Sequence, residues 1–190
     1  MSTEINATTL NDQIELEFYN RGNYYFYGEV DADTVKNVVQ WIINENAAPK
    51  SKQYLSLYIN SWGGSLNDAF ALIDIMKMSR IPIRTIGLGN LMSAAFMIFI
   101  SGEKGNRVLT KNTSILCHQF SSFSEGKEHE LMASMKEFRL VKQRMTDHIA
   151  EMCDLDERFI KKRLLPANDV WLAAEEAVEI KVADRIIEKF

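Results

Sequence analysis

Three short stretches of this 190-residue chain hold side chains suited to making and breaking bonds. "GLGNLMSAAFMIFISG", Gly87 to Gly102, carries one serine, Ser93, inside an otherwise apolar run. "SILCHQ" carries His118, and "NSWGG" carries the glycine pair Gly63 and Gly64. A serine hydroxyl becomes a useful nucleophile when a base takes its proton and N–H donors receive the oxyanion formed at the attacked carbonyl. Serine, histidine and a glycine-rich turn are the residue types that acyl transfer needs. Each stretch also has a plainer reading: Ser93 as a helix cap, "NSWGG" as an ordinary tight turn, and His118 as a structural histidine ending a strand.

Other chemistries have less behind them. Alternation along a strand sends Cys117 and His118 to opposite faces, which argues against a thiol–imidazole pair. Cys117 and Cys153 are the only cysteines, and neither belongs to a CxxC or Cys/His cluster. Two free thiols and no metal site are therefore expected. His129 and His148 fall on a long helical stretch and read as solvated or interface residues. Acidic residues are too numerous for local sequence to choose a partner for His118.

The elements around these residues follow from periodicity. "YYFYGEV", Tyr24 to Val30, reads as a strand. A helix follows, capped by Asp31 or Asp33, with Val35, Val38, Val39, Ile42 and Ile43 at helical spacing. "YLSLYI", Tyr54 to Ile59, is a second strand that "NSWGG" should stop. A helix from Leu66 to Met78 buries Phe70, Ile73 and Met76. "IPIRTIGLG" is a third strand, "LMSAAFMIFIS" a buried helix and "TSILCHQ" another strand. Such alternation indicates an α/β domain with a mostly parallel sheet, and places "NSWGG", Ser93 and His118 at strand ends, where open α/β sheets bind ligands. Ser93 falls in the first turn of its helix, where free N–H groups and the helix dipole favour negative charge.

From Gly126 to Met152 the pattern changes. Leu131, Met135, Phe138, Val141, Met145, Ile149 and Met152 form one apolar stripe on a helix of about 27 residues, about 40 Å long. A domain of this size cannot cover its whole length, so the outer part is expected to meet another subunit. Residues 1–23 are polar without a firm period and read as a loosely ordered arm.

Composition limits the partners. Hydrophobic residues make up 46% and charged residues 25%, with a formal net charge of −4, as in a soluble globular protein. No basic block or RNP-like aromatic pattern points to nucleic acid. Leu91 to Ile100, the most apolar run, is well short of the roughly twenty residues a membrane helix needs. "MSTEINATTL" lacks the basic and apolar regions of a signal peptide, so a cytoplasmic location is expected.

Taken in order, the stretches resemble the caseinolytic ClpP family of serine peptidases, within the ClpP/crotonase fold. "LYINSWGGS" is similar to that family's strand and glycine turn, "GLGNLMSAA" to its nucleophile segment, and "SILCHQ" to its histidine strand. "NDVWLAAEEAVEIKVADRII" is similar to its closing segment, and the resemblance runs from about Tyr24 to Phe190. It implies repeated ββα units with a protruding handle helix at about residues 126–152. By position it implies Ser93 as nucleophile, His118 as general base and Asp169 as the group orienting the imidazole. The N–H groups of Gly64 and Ala94 would form the oxyanion hole, and no cofactor or metal is needed. It also implies polypeptide substrates, stacked heptameric rings of seven or fourteen copies, and an ATP-driven AAA+ unfoldase as partner.

Several positions depart from the family pattern. Trp62 stands where proline is usual, and Phe120 with "SSFSEG" replaces a proline and a glycine-rich strand. Val170 stands where many members have arginine, and Ser56 where an aromatic is common, although Tyr58 remains. Two extra residues near Pro166 precede Asp169 and leave Asn168 as its rival. Two other functions stay open: a crotonase-type acyl-CoA isomerase or hydratase, using the paired N–H groups alone, and a non-catalytic ring subunit that scaffolds an active paralogue.

Overall fold

A computed structural model describes residues 9–49, 52–121 and 124–189. In chain order its elements are α1 (Leu10–Asn20), β1 (Asn23–Val30), α2 (Ala32–Ala47), β2 (Leu55–Gly64), α3 (Leu66–Met78), β3 (Ile83–Met92) and α4 (Ala94–Ile100). There follow β4 (Arg107–Thr110), β5 (Ser114–Cys117), α5 (Glu128–Cys153) and α6 (Glu157–Phe159), which runs into one wide π-type turn, Ile160–Leu164. β6 (Val170–Ala173), α7 (Ala174–Glu179) and β7 (Arg185–Ile187) end the chain. The expected α/β class is the observed one.

One seven-stranded sheet runs β1-β2-β3-β4-β7, with β5 joined to β3 and β6 to β5. All its pairings are parallel except β5 with β6. β3 serves two neighbours along its length: Thr85 to Gly87 pair with β4, and Asn90 to Met92 pair with β5. Between these halves β3 carries two residues more than β2, since Ile59 pairs with Gly87 and Ser61 with Leu91. Asn60 Oδ1 accepts the Asn90 N–H at 3.1 Å across this bulge. The sheet therefore forks, and its β5–β6 branch lies beside the end of β3 that leads into Ser93.

The helices form where caps and apolar spacing coincide. Asp31 caps α2, its Oδ1 accepting the Thr34 N–H at 2.8 Å while the Asp31 N–H donates to Thr34 Oγ1 at 3.1 Å. Val35, Val38, Trp41 and Ile42 are buried, whereas Ile43, expected inside, is 51% exposed. Trp41 fills that side of the stripe. α3 has its expected limits and buries Ile73 and Met76, with Phe70 half-buried. All seven residues of α4 are buried, as required of a helix enclosed by the sheet, α3 and α5.

Five expectations change. Residues 10–20, expected to be loosely ordered, form α1, started by a reciprocal cap between Thr9 and Asp12. Residues 1–8 of the expected arm lie outside the described residues. β2 does not stop before "NSWGG"; it continues to Gly64, with Gly63 and Gly64 pairing with Glu29 and Val30 past a bulge at Gly28 and Glu29. The stretch from Leu91, expected to be helical, stays in β3 to Met92, so Ser93 precedes α4 instead of lying in its first turn. The short strands β4 and β7 have no periodic signal and are held by Arg107, only 4% exposed. Its Nη2 donates to Asp184 Oδ1 at 2.6 Å, its Nε to Asp184 Oδ2 at 3.0 Å and its Nη1 to the Met152 carbonyl at 2.9 Å.

The fifth change is His148. It is not solvated but buried on the inner half of α5, 5% exposed, with Nε2 2.9 Å from Ser101 Oγ and 3.2 Å from the Met97 carbonyl. Phe70 meets the ring edge-on. α5 as a whole divides in two. Val141, Met145, Ile149 and Cys153 are buried, whereas Leu131, Met132, Met135 and Leu140 are exposed.

Burial pushes the His148 imidazole from 6.5 down to about 4, because the charged form loses water it cannot replace. The Met97 carbonyl, Glu151 and Asp74 favour the cation, and Lys77 opposes it. The unfolded chain thus takes up a proton at higher pH than the folded one. Stability should be full above about pH 6.5 and fall between that pH and about 4, by on the order of 3 kcal/mol. Urea midpoints measured against pH should show this fall, and His148→Gln should flatten it.

Candidate functional site

Ser93 joins β3 to α4 with φ 55° and ψ −118°, a left-handed backbone that costs a non-glycine residue about 1–3 kcal/mol. Its carbonyl accepts the Phe96 N–H at 3.1 Å, as a residue opening a helix should, but its hydroxyl makes no capping bond. The plain cap reading of Ser93 is therefore set aside. The Ser93 N–H donates to the Leu116 carbonyl at 2.9 Å, which ties this turn to β5. Ser93 thus sits on a strand-to-helix turn.

The glycine pair explains how the chain passes so close. A Cβ on Gly63, at φ +93°, would lie 2.6 Å from the Met92 carbonyl oxygen and 2.9 Å from Ser93 Cβ. A Cβ on Gly64 would lie 2.3 Å from the Val30 carbonyl oxygen. Buried Ser61 accepts the Gly63 N–H at 3.1 Å and fixes the turn from inside. Both positions admit only glycine, and the end of β2 is pressed against the Ser93 turn.

A cavity of about 230 Å³ opens at this contact, lined by Gly64, Ser65, Ser93, Phe120, Glu137 and Phe138 among others. The Phe120 and Phe138 rings meet edge to face with centroids 5.7 Å apart, joining the chain after β5 to the middle of α5. Sequence reasoning missed Glu137 and this ring pair; the replacement of proline by Phe120 was the available signal.

His118 follows β5 directly and is half-buried. Ser93 and His118 thus stand at the ends of the paired strands β3 and β5. The β5–β6 register runs from Ser114↔Ala173 to Cys117↔Val170, and its next step sets His118 opposite Asp169 and Gln119 opposite Asn168. Asp169 and Asn168 are both exposed. Among the described residues no side-chain hydrogen bond joins Ser93 to His118 or His118 to Asp169. Ala94 opens α4, so its N–H falls in the helix's first turn, where backbone donors lack intrahelical partners.

Cys117 lies on the other side of β5, 1% exposed, and burial, with Cys153 nearby, pushes its thiol well up, so it stays protonated. Cys153 is likewise pushed up, to about 11, by burial. His129 is exposed on the outer half of α5.

The sheet's strand ends, the strained serine and the glycine contact lie in one place, and sequence comparison gives them a family. A model of the Clp protease family matches residues 7–190. The chain belongs to that family. It is similar to the ATP-dependent Clp protease proteolytic subunit 2 of Treponema denticola, with 28% identity over 181 residues that cover 95% of this chain and 89% of the relative. The mixed α/β architecture, a central sheet with helices packed on it, is that of the expected Clp-type fold. No helix among the described residues is long and apolar enough to cross a membrane.

Gly63→Ala should destabilise the protein by about 2 kcal/mol or more, the sum of a left-handed backbone and a contact with no room to relax. Gly105 is the control: it has φ +87° but nothing within 4 Å of an added Cβ. Gly105→Ala should cost only the backbone share, about 1 kcal/mol. Denaturant unfolding of the two variants should rank them in that order.

Proposed function

We propose that the chain is a serine endopeptidase subunit of a self-compartmentalised ring protease, cleaving unfolded polypeptides or peptides. The observation that carries this reading is the strained backbone of Ser93, a residue that lines a cleft and whose hydroxyl makes no capping bond. Strain of that kind at a strand-to-helix turn suits a nucleophile. Ser93 Oγ attacks the carbonyl carbon while His118 takes its proton. The N–H groups of Gly64 and Ala94 receive the oxyanion. His118 then protonates the leaving amine, and water attacks the acyl-enzyme to restore Ser93.

Asp169 accepts the Nδ1–H of His118 in this scheme, leaving Nε2 to face Ser93. The β5–β6 register favours Asp169 over Asn168 because the extra residues near Pro166 precede the ladder. The exposed outer half of α5 supports assembly into heptameric or stacked fourteen-subunit rings, since an apolar surface of that extent marks an interface. An ATP-dependent AAA+ unfoldase as partner accords with the relative's description as an ATP-dependent proteolytic subunit. A non-catalytic scaffold subunit is the second reading, favoured by the unmade bond between Ser93 and His118.

A fluorophosphonate probe should label Ser93, with the adduct located by mass spectrometry. Ser93→Ala should abolish labelling and lower peptide hydrolysis by about 10⁴-fold or more. Equal hydrolysis by wild type and variant would reject the nucleophile. Intact assemblies, sized by light scattering, that never react would select the scaffold.

Asp169→Asn should cut turnover by about two orders of magnitude or more, with roughly 10⁴-fold as the guide from a serine protease in which the same change was made. Assembly should persist because the substitution is nearly isosteric. Full activity in Asp169→Asn together with loss in Asn168→Ala would move the orienting group one residue back.

A further inference from the structure

A second cavity shares Phe120 as a lining residue with the cavity at Ser93. It measures about 260 Å³, room for one large side chain, and begins at Gln119, directly after His118. Phe120, Met145 and Leu165 give it apolar walls, and Gln119 Nε2 donates to the Leu165 carbonyl at 3.1 Å to brace one side. Its charged residues are Lys142 and Lys161. Lys161 is already paired with Glu157, whereas Lys142 has no ion-pair partner among the described residues. Arg158 and Lys162 lie beside Lys161 on the adjoining surface and extend the positive field.

The Ser93 cavity has the opposite sign. Its one charged lining residue among those described is Glu137. Phe120 borders both spaces, so the sign of the charge differs between two cavities that meet at one residue. A polypeptide lying across Ser93 meets these fields at neighbouring side chains.

We propose that the second pocket takes an acidic side chain of the substrate, so that cleavage falls beside glutamate or aspartate in preference to lysine. This rests on the peptidase reading above. A glutamate sets its methylene groups against Phe120, Met145 and Leu165 and its carboxylate against the Lys142 ammonium. A lysine in the same place sets two ammonium groups together, and a leucine fills the walls but leaves Lys142 without a counter-charge. One exposed pair of this kind is worth up to about fivefold in affinity, and like charges lose a similar factor.

The test uses the full-length assembled chain and a set of peptides differing only at the residues on either side of the scissile bond: Glu, Gln, Leu or Lys. The kcat/KM for Glu should exceed that for Lys by about tenfold at low ionic strength, and the ratio should shrink as salt is added. Lys142→Glu should invert the order, and Lys142→Met should erase the Glu advantage; Lys142 is exposed, and circular dichroism checks that each variant folds. A wild type that cleaves the Leu peptide but treats Glu and Lys alike overturns the proposal and leaves the peptidase reading standing. So does a Glu preference that Lys142→Glu leaves unmoved. Failure to cleave any peptide overturns both.

Discussion

Ser93 is held in a backbone conformation that an L-residue avoids, and the neighbouring structure is arranged so that it cannot relax. Its N–H is bound to the Leu116 carbonyl, Gly63 closes over its Cβ, and the helix that follows is buried at every residue. Relief would require shifting α4 against the sheet, α3 and α5 together, and close-packed interiors resist such shifts. The strain of one residue is thus offset by the packing of a whole core helix. The Ser93 hydroxyl is left without a capping bond to the helix that follows it.

The fork in the sheet has the same logic. Had β3 kept a single neighbour on that side, β5 would lie alongside β4's position and His118 would end far from Ser93. The bulge that Asn60 tethers lets one strand serve β4 first and β5 afterwards. Arg107 then gathers the loose ends: β4, β7 and the last turn of α5 meet on one guanidinium. A buried charge of this kind does not by itself add stability over an apolar substitute, but it fixes which strand ends where.

Much of this was legible in the amino-acid order. α3 shows its limits because its apolar residues keep helical spacing from Leu66 to Met78. Ser93, His118 and the glycine pair could be marked because their types are rare in such surroundings. What escaped notice was long-range. β4 and β7 are too short for a period, and the Arg107–Asp184 bond that holds them spans most of the last third of the chain. His148 reads as polar on a helix until its partners on α4 are known, since Ser101 lies 47 residues away. The choice between Asp169 and Asn168 depends on a ladder register that two extra residues hide from any count along the sequence.

The tryptophans divide between the surface and the core. Trp62 is 61% exposed beside Gly63, and Trp171 is 55% exposed on β6, two residues after Asp169. Trp41 is buried on α2, and its indole N–H has no hydrogen-bond partner among the described residues. Two of the three indoles therefore meet water while the third is sealed in the core. Emission from water-exposed indole is red-shifted relative to buried indole, so the long-wavelength edge of the spectrum belongs to the surface and the short-wavelength edge to the interior. Unfolding moves Trp41 from the second to the first, so the protein reports the state of its own core with no added dye.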